Sequence, residues 1–424
     1  MSQPFFDALS STQTLPLRRP LLSLRPWAIA LGLLILVDVA LRLFLPPDQR
    51  VLRQPLRAHT CMADAALDAL VDLRALGDLS DSAGPALDVV LLGDSVLGSV
   101  NNPAGERLHD RLTQRLSQRG LSARVHNLSA GGAHAADQYA ALLGLVQRLQ
   151  PQPMGLQNLV VVLSVNPIFF SRRHSQPPAL YPCLFEDLSD DVLGGSATAD
   201  ALRRSLLLPR PAPEYERSAA QLLARTWYLY QQRRRIGEAA FALRDTLREA
   251  MAARWHGHTS QHPATVAQRS NQPWFTQGLS AERYATSYEF LAFDDPQAHN
   301  LHMTARMASW LAQHPELAVL VEQVPQNHAL VGEYTARPAY QAWERHVATL
   351  FRAAGLPYVS HDRSAALASE QFQDLDHLTA QGNDTLATLV ADDLVTLRLA
   401  ARTSAAPGST QSSGSSGLRP AAPY

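Results

Sequence analysis

The chain has 424 residues, enough for one large domain or two ordinary ones. Its formal net charge is -1 and only 18% of it is charged, so the basic balance of a nucleic-acid binder is missing. All 37 basic residues are arginine, which excludes a Schiff-base lysine, a Walker A lysine and a Ser-Lys dyad from this chain.

Residues 1–26 read as a short tail. Residues 27–45, WAIALGLLILVDVALRLFL, follow and stop at Pro46-Pro47. About 20 mostly apolar residues suffice for a helix to span a bilayer, so this segment reads as an uncleaved anchor. A cleaved signal peptide is the competing reading, but the run is long for one and no A-x-A site follows it. Asp38 and Arg42 interrupt it. Four apart, they share a helix face and can pair. We read the pair as tolerated near the interface, a helix–helix contact being the alternative. Arginines lie on both sides of the segment, Arg18, Arg19 and Arg25 before it and Arg50, Arg53 and Arg57 after it, so charge does not orient it.

Residues 46–86 form a connector, with a helix expected near 63–75. The run Leu87-Asp88-Val89-Val90-Leu91-Leu92 reads as a buried parallel strand because it is almost continuously apolar. An amphipathic helix over 107–119 is stopped by Gly120. A strand at 123–126 and a helix at 135–149 follow. Strands at 159–163, 318–322 and 356–359 and a closing helix at 379–399 complete the alternation. This pattern predicts an α/β fold with a parallel sheet. The alternation breaks over about 171–300, which reads as a largely helical insertion, helical above all at 218–255. A lid and a packing subdomain are equally open readings of it. Residues 403–424 are rich in Ser, Gly, Ala and Pro and are expected to be disordered.

The chemistry-bearing residues lie at the ends of those strands. Ser95, in Gly93-Asp94-Ser95, directly follows the first strand, where α/β sheets place ligands. Gly131-Gly132 follows the second strand and lets a backbone N–H approach a ligand. Asn166 ends the third strand and can donate to an oxyanion. Asp374 and His377 precede the closing helix at a spacing that lets a carboxylate orient an imidazole, with Asp376 as the rival orienter. Taken singly, each has a structural explanation: a helix cap, a glycine turn, an asparagine before proline. No G-x-S-x-G elbow surrounds Ser95, which disfavours an α/β-hydrolase site. His256, His258, His262, His299 and His302 lack a carboxylate or cysteine frame and read as surface residues rather than zinc ligands. Arg233-Arg234-Arg235 reads as a solvated helix face. Cys61 and Cys183 can pair in an oxidising compartment, free thiols being the alternative.

In their order and contexts these blocks resemble the SGNH (GDSL-type) hydrolase superfamily. VVLLGDS at 89–95, NLSAGGA at 127–133, VVLSVN ending at Asn166, and DLDHL at 374–378 followed by Gly382 carry the resemblance over about 87–170 and 315–400. The resemblance implies a flavodoxin-like three-layer α/β/α sandwich. It also implies Ser95 as nucleophile, His377 as base and Asp374 as orienter. Gly132, Asn166 and the Ser95 amide would form the oxyanion hole. One block departs: the family's G-x-N-D stands here as Ser164-Val165-Asn166-Pro167. The anchor and insertion look like the membrane-attached branch that acylates or deacylates envelope polymers, which places the catalytic domain, 87–402, outside the cytoplasmic membrane.

The resulting expectation is a membrane-anchored serine esterase acting on O-acyl esters of a glycan or lipid. An O-acyltransferase with the same residues and a membrane acyl-donor partner is the alternative, and a non-catalytic envelope binding protein the second. No metal, organic cofactor or nucleic acid is implied.

Overall fold

The computed structural model describes residues 24–53, 87–99, 101–149, 158–174, 180–186, 188–206, 208, 212–256, 272–362 and 364–405. The connector helix expected at 63–75, Cys61, His258, His262 and the tails at 1–23 and 406–424 lie outside the described residues. The helices are α1 (Leu24–Phe44), α2 (Gln49–Arg53), α3 (Ser95–Gly98), α4 (Leu108–Gln118), α5 (Ala135–Leu149), α6 (Ser196–Ser205), α7 (Glu214–Thr226), α8 (Tyr228–His256), α9 (His299–Ala312), α10 (His328–Thr335), α11 (Pro338–Ala353) and α12 (Ala380–Ala405).

Five strands, β1 (Leu87–Leu92), β2 (Ala123–Asn127), β3 (Leu159–Val165), β4 (Ala318–Gln323) and β5 (Tyr358–Ser360), form one parallel sheet in the order β2-β1-β3-β4-β5. This is the doubly wound 2-1-3-4-5 order, in which the chain reverses direction between β1 and β3. Both faces are covered, which explains the continuous apolar strands. Val89 and Leu91 pack with Leu112 and Leu116 of α4 and Leu386 and Val390 of α12. Val90 and Leu92 point to the opposite core, with Ala140 of α5, Met307 of α9 and Trp343 and Phe351 of α11. Each fully buried Leu or Phe contributes about 2 kcal/mol to holding these layers together.

The insertion is mainly packing material in its first part. Tyr181, Cys183, Leu184, Phe185, Leu193 and Leu202 are buried in the same core as α5. Its helical stretch is two helices, α7 and α8, broken at Trp227. Cys183 is disulfide-bonded, so it is not a free thiol.

Asp38 and Arg42 make a tertiary contact instead of being merely tolerated. Arg42 Nε donates to Asp38 at 2.8 Å, and Asp38 Oδ1 accepts the Leu229 N–H at 2.5 Å. Nor are the three arginines a plain solvated face. Arg233 lies 3.8 Å over the Tyr230 ring, the Arg234 side chain is largely buried 4.0 Å from Asp48, and Arg235 donates to the Pro46 carbonyl at 3.2 Å. The closing helix also runs past the expected onset of disorder at Thr403, to Ala405.

Candidate active site

β1 ends in a turn that only glycine fits. A Cβ on Gly93 would lie 2.1 Å from Ser164 Oγ on β3. Asp94 caps the short helix α3 by accepting the Val96 N–H at 3.0 Å, which leaves Ser95 as the first helical residue. Ser99 then ties α3 to α12 through Asn383 at 3.1 Å. Since α12 follows the histidine loop, this contact fixes the two halves of the site against each other.

The histidine loop is closed by its own hydrogen bonds. Phe372 and Leu378 form an antiparallel bridge, and the Gln373 N–H donates to the His377 carbonyl at 2.7 Å. Gly382 belongs to this construction, because a Cβ there would lie 2.4 Å from the Gln371 carbonyl oxygen. Asp374 accepts the Asp376 and His377 N–H groups at 3.1 and 2.9 Å. It also lies 3.0 Å from His377 Nδ1. Asp374 therefore both closes the turn and lies within hydrogen-bond distance of the imidazole. On the other side of the ring, Nε2 lies 2.9 Å from Ser95 Oγ. A carboxylate, an imidazole and a hydroxyl thus stand in one hydrogen-bonded line at the carboxyl end of the sheet.

Asp376 also approaches the imidazole, with Oδ1 3.1 Å from Nδ1. That oxygen has no aligned hydrogen bond, so geometry selects Asp374 as the hydrogen-bonded partner. Burial disfavours the charged imidazole, but the Asp376 and Asp374 carboxylates outweigh it and hold His377 well above the usual histidine range. Burial likewise pushes the Asp374 carboxyl up, and His377 more than reverses this, leaving it below the usual carboxylate value.

The structure places Asn166 at the end of β3 with its amide turned toward carboxylates. Nδ2 donates to Asp94 at 2.5 Å and to Asp376 at 2.8 Å, and Oδ1 accepts the Ile168 N–H at 3.2 Å. Both amide hydrogens are engaged, so donation to an oxyanion requires releasing one. Sequence reasoning did not find the Asp94–Asn166–Asp376 bridge. Burial, and then the charge of Asp376, push the Asp94 carboxyl up to about 6.

Gly132 stands after β2 with φ +74°, a left-handed backbone that favours glycine. The loop is bound to β1 by the Ala130 N–H, which donates to the Gly93 carbonyl at 3.1 Å. The insertion clamps its other side. Tyr181 donates its hydroxyl to the Gly131 carbonyl, and buried Asp137 accepts the N–H groups of His134, Leu180 and Tyr181 at 2.9, 3.0 and 2.7 Å. Leu180 thereby lies against Gly132, within 3.3 Å of where a Cβ would stand. Beside the histidine loop an open groove of about 540 Å³ has a mixed lining, with Asn327, His328, Gln341 and Ser369 beside Leu367 and Phe372. Asn327 also donates to the Asp374 carbonyl at 3.0 Å.

Asp374, Asp376 and His377 are close enough together to hold a cation. In this structure Ser95, His377 and Asp374 are hydrogen-bonded in line, while Asp376 accepts from Asn166. His299 and His302 join no group of three metal-ligating side chains among the described residues. No protein-family model matches this chain, and no curated protein matches it.

Proposed function

We propose that this protein is a membrane-anchored serine esterase of the SGNH type that cleaves O-acyl esters of a glycan or lipid outside the cytoplasm. The observation that carries the reading is the continuous line from Ser95 Oγ to His377 Nε2 at 2.9 Å and from His377 Nδ1 to Asp374 at 3.0 Å. In this reading Ser95 attacks the ester carbonyl while its proton passes to His377 Nε2. Asp374 holds the tautomer that leaves Nε2 free to accept. The tetrahedral oxyanion is received by the backbone N–H groups of Ser95 and Gly132, with Asn166 joining when one amide hydrogen leaves its carboxylate. His377 returns the proton to the leaving alkoxide, and water then attacks the acyl-enzyme with His377 as base.

The strand order 2-1-3-4-5 and the position of Ser95 and Asn166 on either side of its reversal support the fold part of the reading. α1 supports the anchor, since its 19 residues Pro26–Phe44 are long and apolar enough to cross a membrane. The disulfide at Cys183 supports an oxidising compartment. An O-acyltransferase is the second reading, because the open groove beside the histidine loop combines hydrogen-bonding groups with apolar surface on which a sugar acceptor could lie.

The test is p-nitrophenyl acetate hydrolysis by the full chain in detergent, beside Ser95→Ala. Activity lost in the variant is the expected result, and equal activity in both removes Ser95 from the chemistry. Acyl-glycan formed above the Ser95→Ala background would select the transferase.

A further inference from the structure

The pairing of the apolar helix with the insertion carries a consequence for where the insertion sits. α1 rises about 1.5 Å per residue, so Pro26–Phe44 spans about 28 Å, close to the roughly 30 Å hydrocarbon core of a bilayer. With so little slack, Phe44 marks the boundary on the side of the folded domain. Asp38 is six residues before it and hence about 9 Å inside.

Asp38 nevertheless bonds to the insertion. Its Oδ1 accepts the Leu229 N–H at 2.5 Å, in the first turn of α8. Arg42 donates to the Thr226 carbonyl and Tyr228 to the Leu45 carbonyl, each at 2.5 Å. Further along α8, Gln232 and Arg235 donate to the Pro46 carbonyl at 2.9 and 3.2 Å. α8 therefore climbs beside the end of α1, from the level of Asp38 to that of Pro46. From Leu229 to Arg235 the rise is about 9 Å, and the long Arg235 side chain covers the rest of the roughly 12 Å between Asp38 and Pro46.

We propose that the α7–α8 corner is seated in the bilayer beside α1, with Leu222, Leu223 and Trp227 facing lipid. This rests on the reading of α1 as a membrane-spanning helix. The chemistry of the corner fits that occupant. No water in the hydrocarbon region can satisfy the free N–H groups of a helix start, and here the Asp38 carboxylate accepts one of them, that of Leu229. Arg42 pairs with that carboxylate at 2.8 Å, which limits the cost of placing it there. α7 buries only Ala220 and Ala224, while Leu222 is 63% and Trp227 37% exposed. Trp227 presents a large, mostly apolar ring to lipid at that depth, and the long Arg225 side chain can snorkel toward the headgroups. Arg235, at the level of Pro46, stands where lipid phosphates lie. Leu243 is 60% exposed as well, but it is eight residues beyond Arg235 and about 12 Å further out.

The test places an environment-sensitive fluorescent amino acid at position 35, 227 or 243 of the full chain. The protein is reconstituted in phosphatidylethanolamine–phosphatidylglycerol vesicles whose acyl chains carry doxyl quenchers. Loss of fluorescence at 35 and 227, with none at 243, is the expected result. Quenching at 35 without quenching at 227 overturns the proposal and leaves the anchor standing. No quenching at 35 removes the anchor and the proposal together. A benzophenone side chain at 227 is expected to cross-link lipid in native membranes, and a protein adduct in its place would overturn the proposal in favour of a partner subunit.

Discussion

Neutralising Asp376 tests how two carboxylates share one imidazole. Its Oδ1 lies 3.1 Å from His377 Nδ1. One unit charge removed at that distance is worth about 1 kcal/mol at the dielectric of water and about 5 kcal/mol at an effective value of 20. The His377 side chain is 22% exposed, which puts the site between these limits. About 1.4 kcal/mol is a tenfold change in proton affinity, so Asp376→Asn should lower that of His377 about tenfold or more. The sign follows from the base role. His377 is held well above its usual range, and a charged imidazole cannot take the Ser95 proton, so activity falls as pH drops through that raised value. In Asp376→Asn the acid limb of kcat/KM for p-nitrophenyl acetate should therefore move to lower pH. Its plateau should change little, because Asp374 still accepts from Nδ1. Asp374→Asn removes the aligned acceptor and should lower the plateau about 10⁴-fold. An acid limb that stays in place in Asp376→Asn, or a plateau lower than that of Asp374→Asn, would refute this division of roles.

Asn166→Ala leaves the buried carboxylates of Asp94 and Asp376 without their bridging amide, and a loss of about 2–4 kcal/mol is expected from thermal unfolding. That loss should deepen as pH rises past about 6, where Asp94 ionises, and a pH-independent loss would contradict the bridge. Glu322 is buried with neither oxygen hydrogen-bonded, and burial pushes its carboxyl up to about 7. A carboxyl raised in the folded state costs stability as pH climbs from its unfolded value through that level. Glu322→Gln should thus stabilise by up to about 3 kcal/mol well above pH 7 and by little in acid, read from urea midpoints. Equal midpoints at high pH would sink the account. Gly382→Ala gains about 1 kcal/mol of helix propensity but sets a Cβ 2.4 Å from the Gln371 carbonyl, so lower stability and activity are expected, and a neutral variant would show that the loop yields freely.

What was legible in the sequence follows from what spacing can encode. β1, β3 and β4 stand out because strands covered on both faces are mostly apolar, and α5 falls at Ala135–Leu149, where the sequence places a helix ending before Pro151. β5 falls at Tyr358–Ser360 rather than at 356–359, because the Leu356 N–H is used by the Phe351 carbonyl at the end of α11. α9, α10 and α11 were not anticipated. For α11 the signal was present: Pro338 at its start and a stripe of Tyr340, Trp343, Val347 and Phe351. The Asp374–His377 pair is a local spacing and could be read. The choice between Asp374 and Asp376 depends on bond alignment, which no spacing gives. The Asn166 bridge joins residues 72 and 210 positions away, brought together only by the sheet. The helix–helix role of Asp38 likewise required the position of Leu229, 191 residues on.

The insertion connects the two ends of this molecule. Its first part braces the glycine loop through Asp137 and Tyr181, and its later part holds α1 through Leu229, Tyr228 and Gln232. One hydrophobic core runs between them, joining Val51 and Ala224 near the apolar helix to Ala130 and Ala133 beside Gly132. Interiors packed to that extent do not deform continuously. Tyr181, Leu184, Leu193 and Leu202 are packed into that core beside the glycine loop. Because the glycine-loop contact and the α1 contact share a core, packing relates the position of Ser95 to that of α1. Under the proposed function, an ester presented at a fixed distance from a membrane surface is the substrate geometry such a construction would suit.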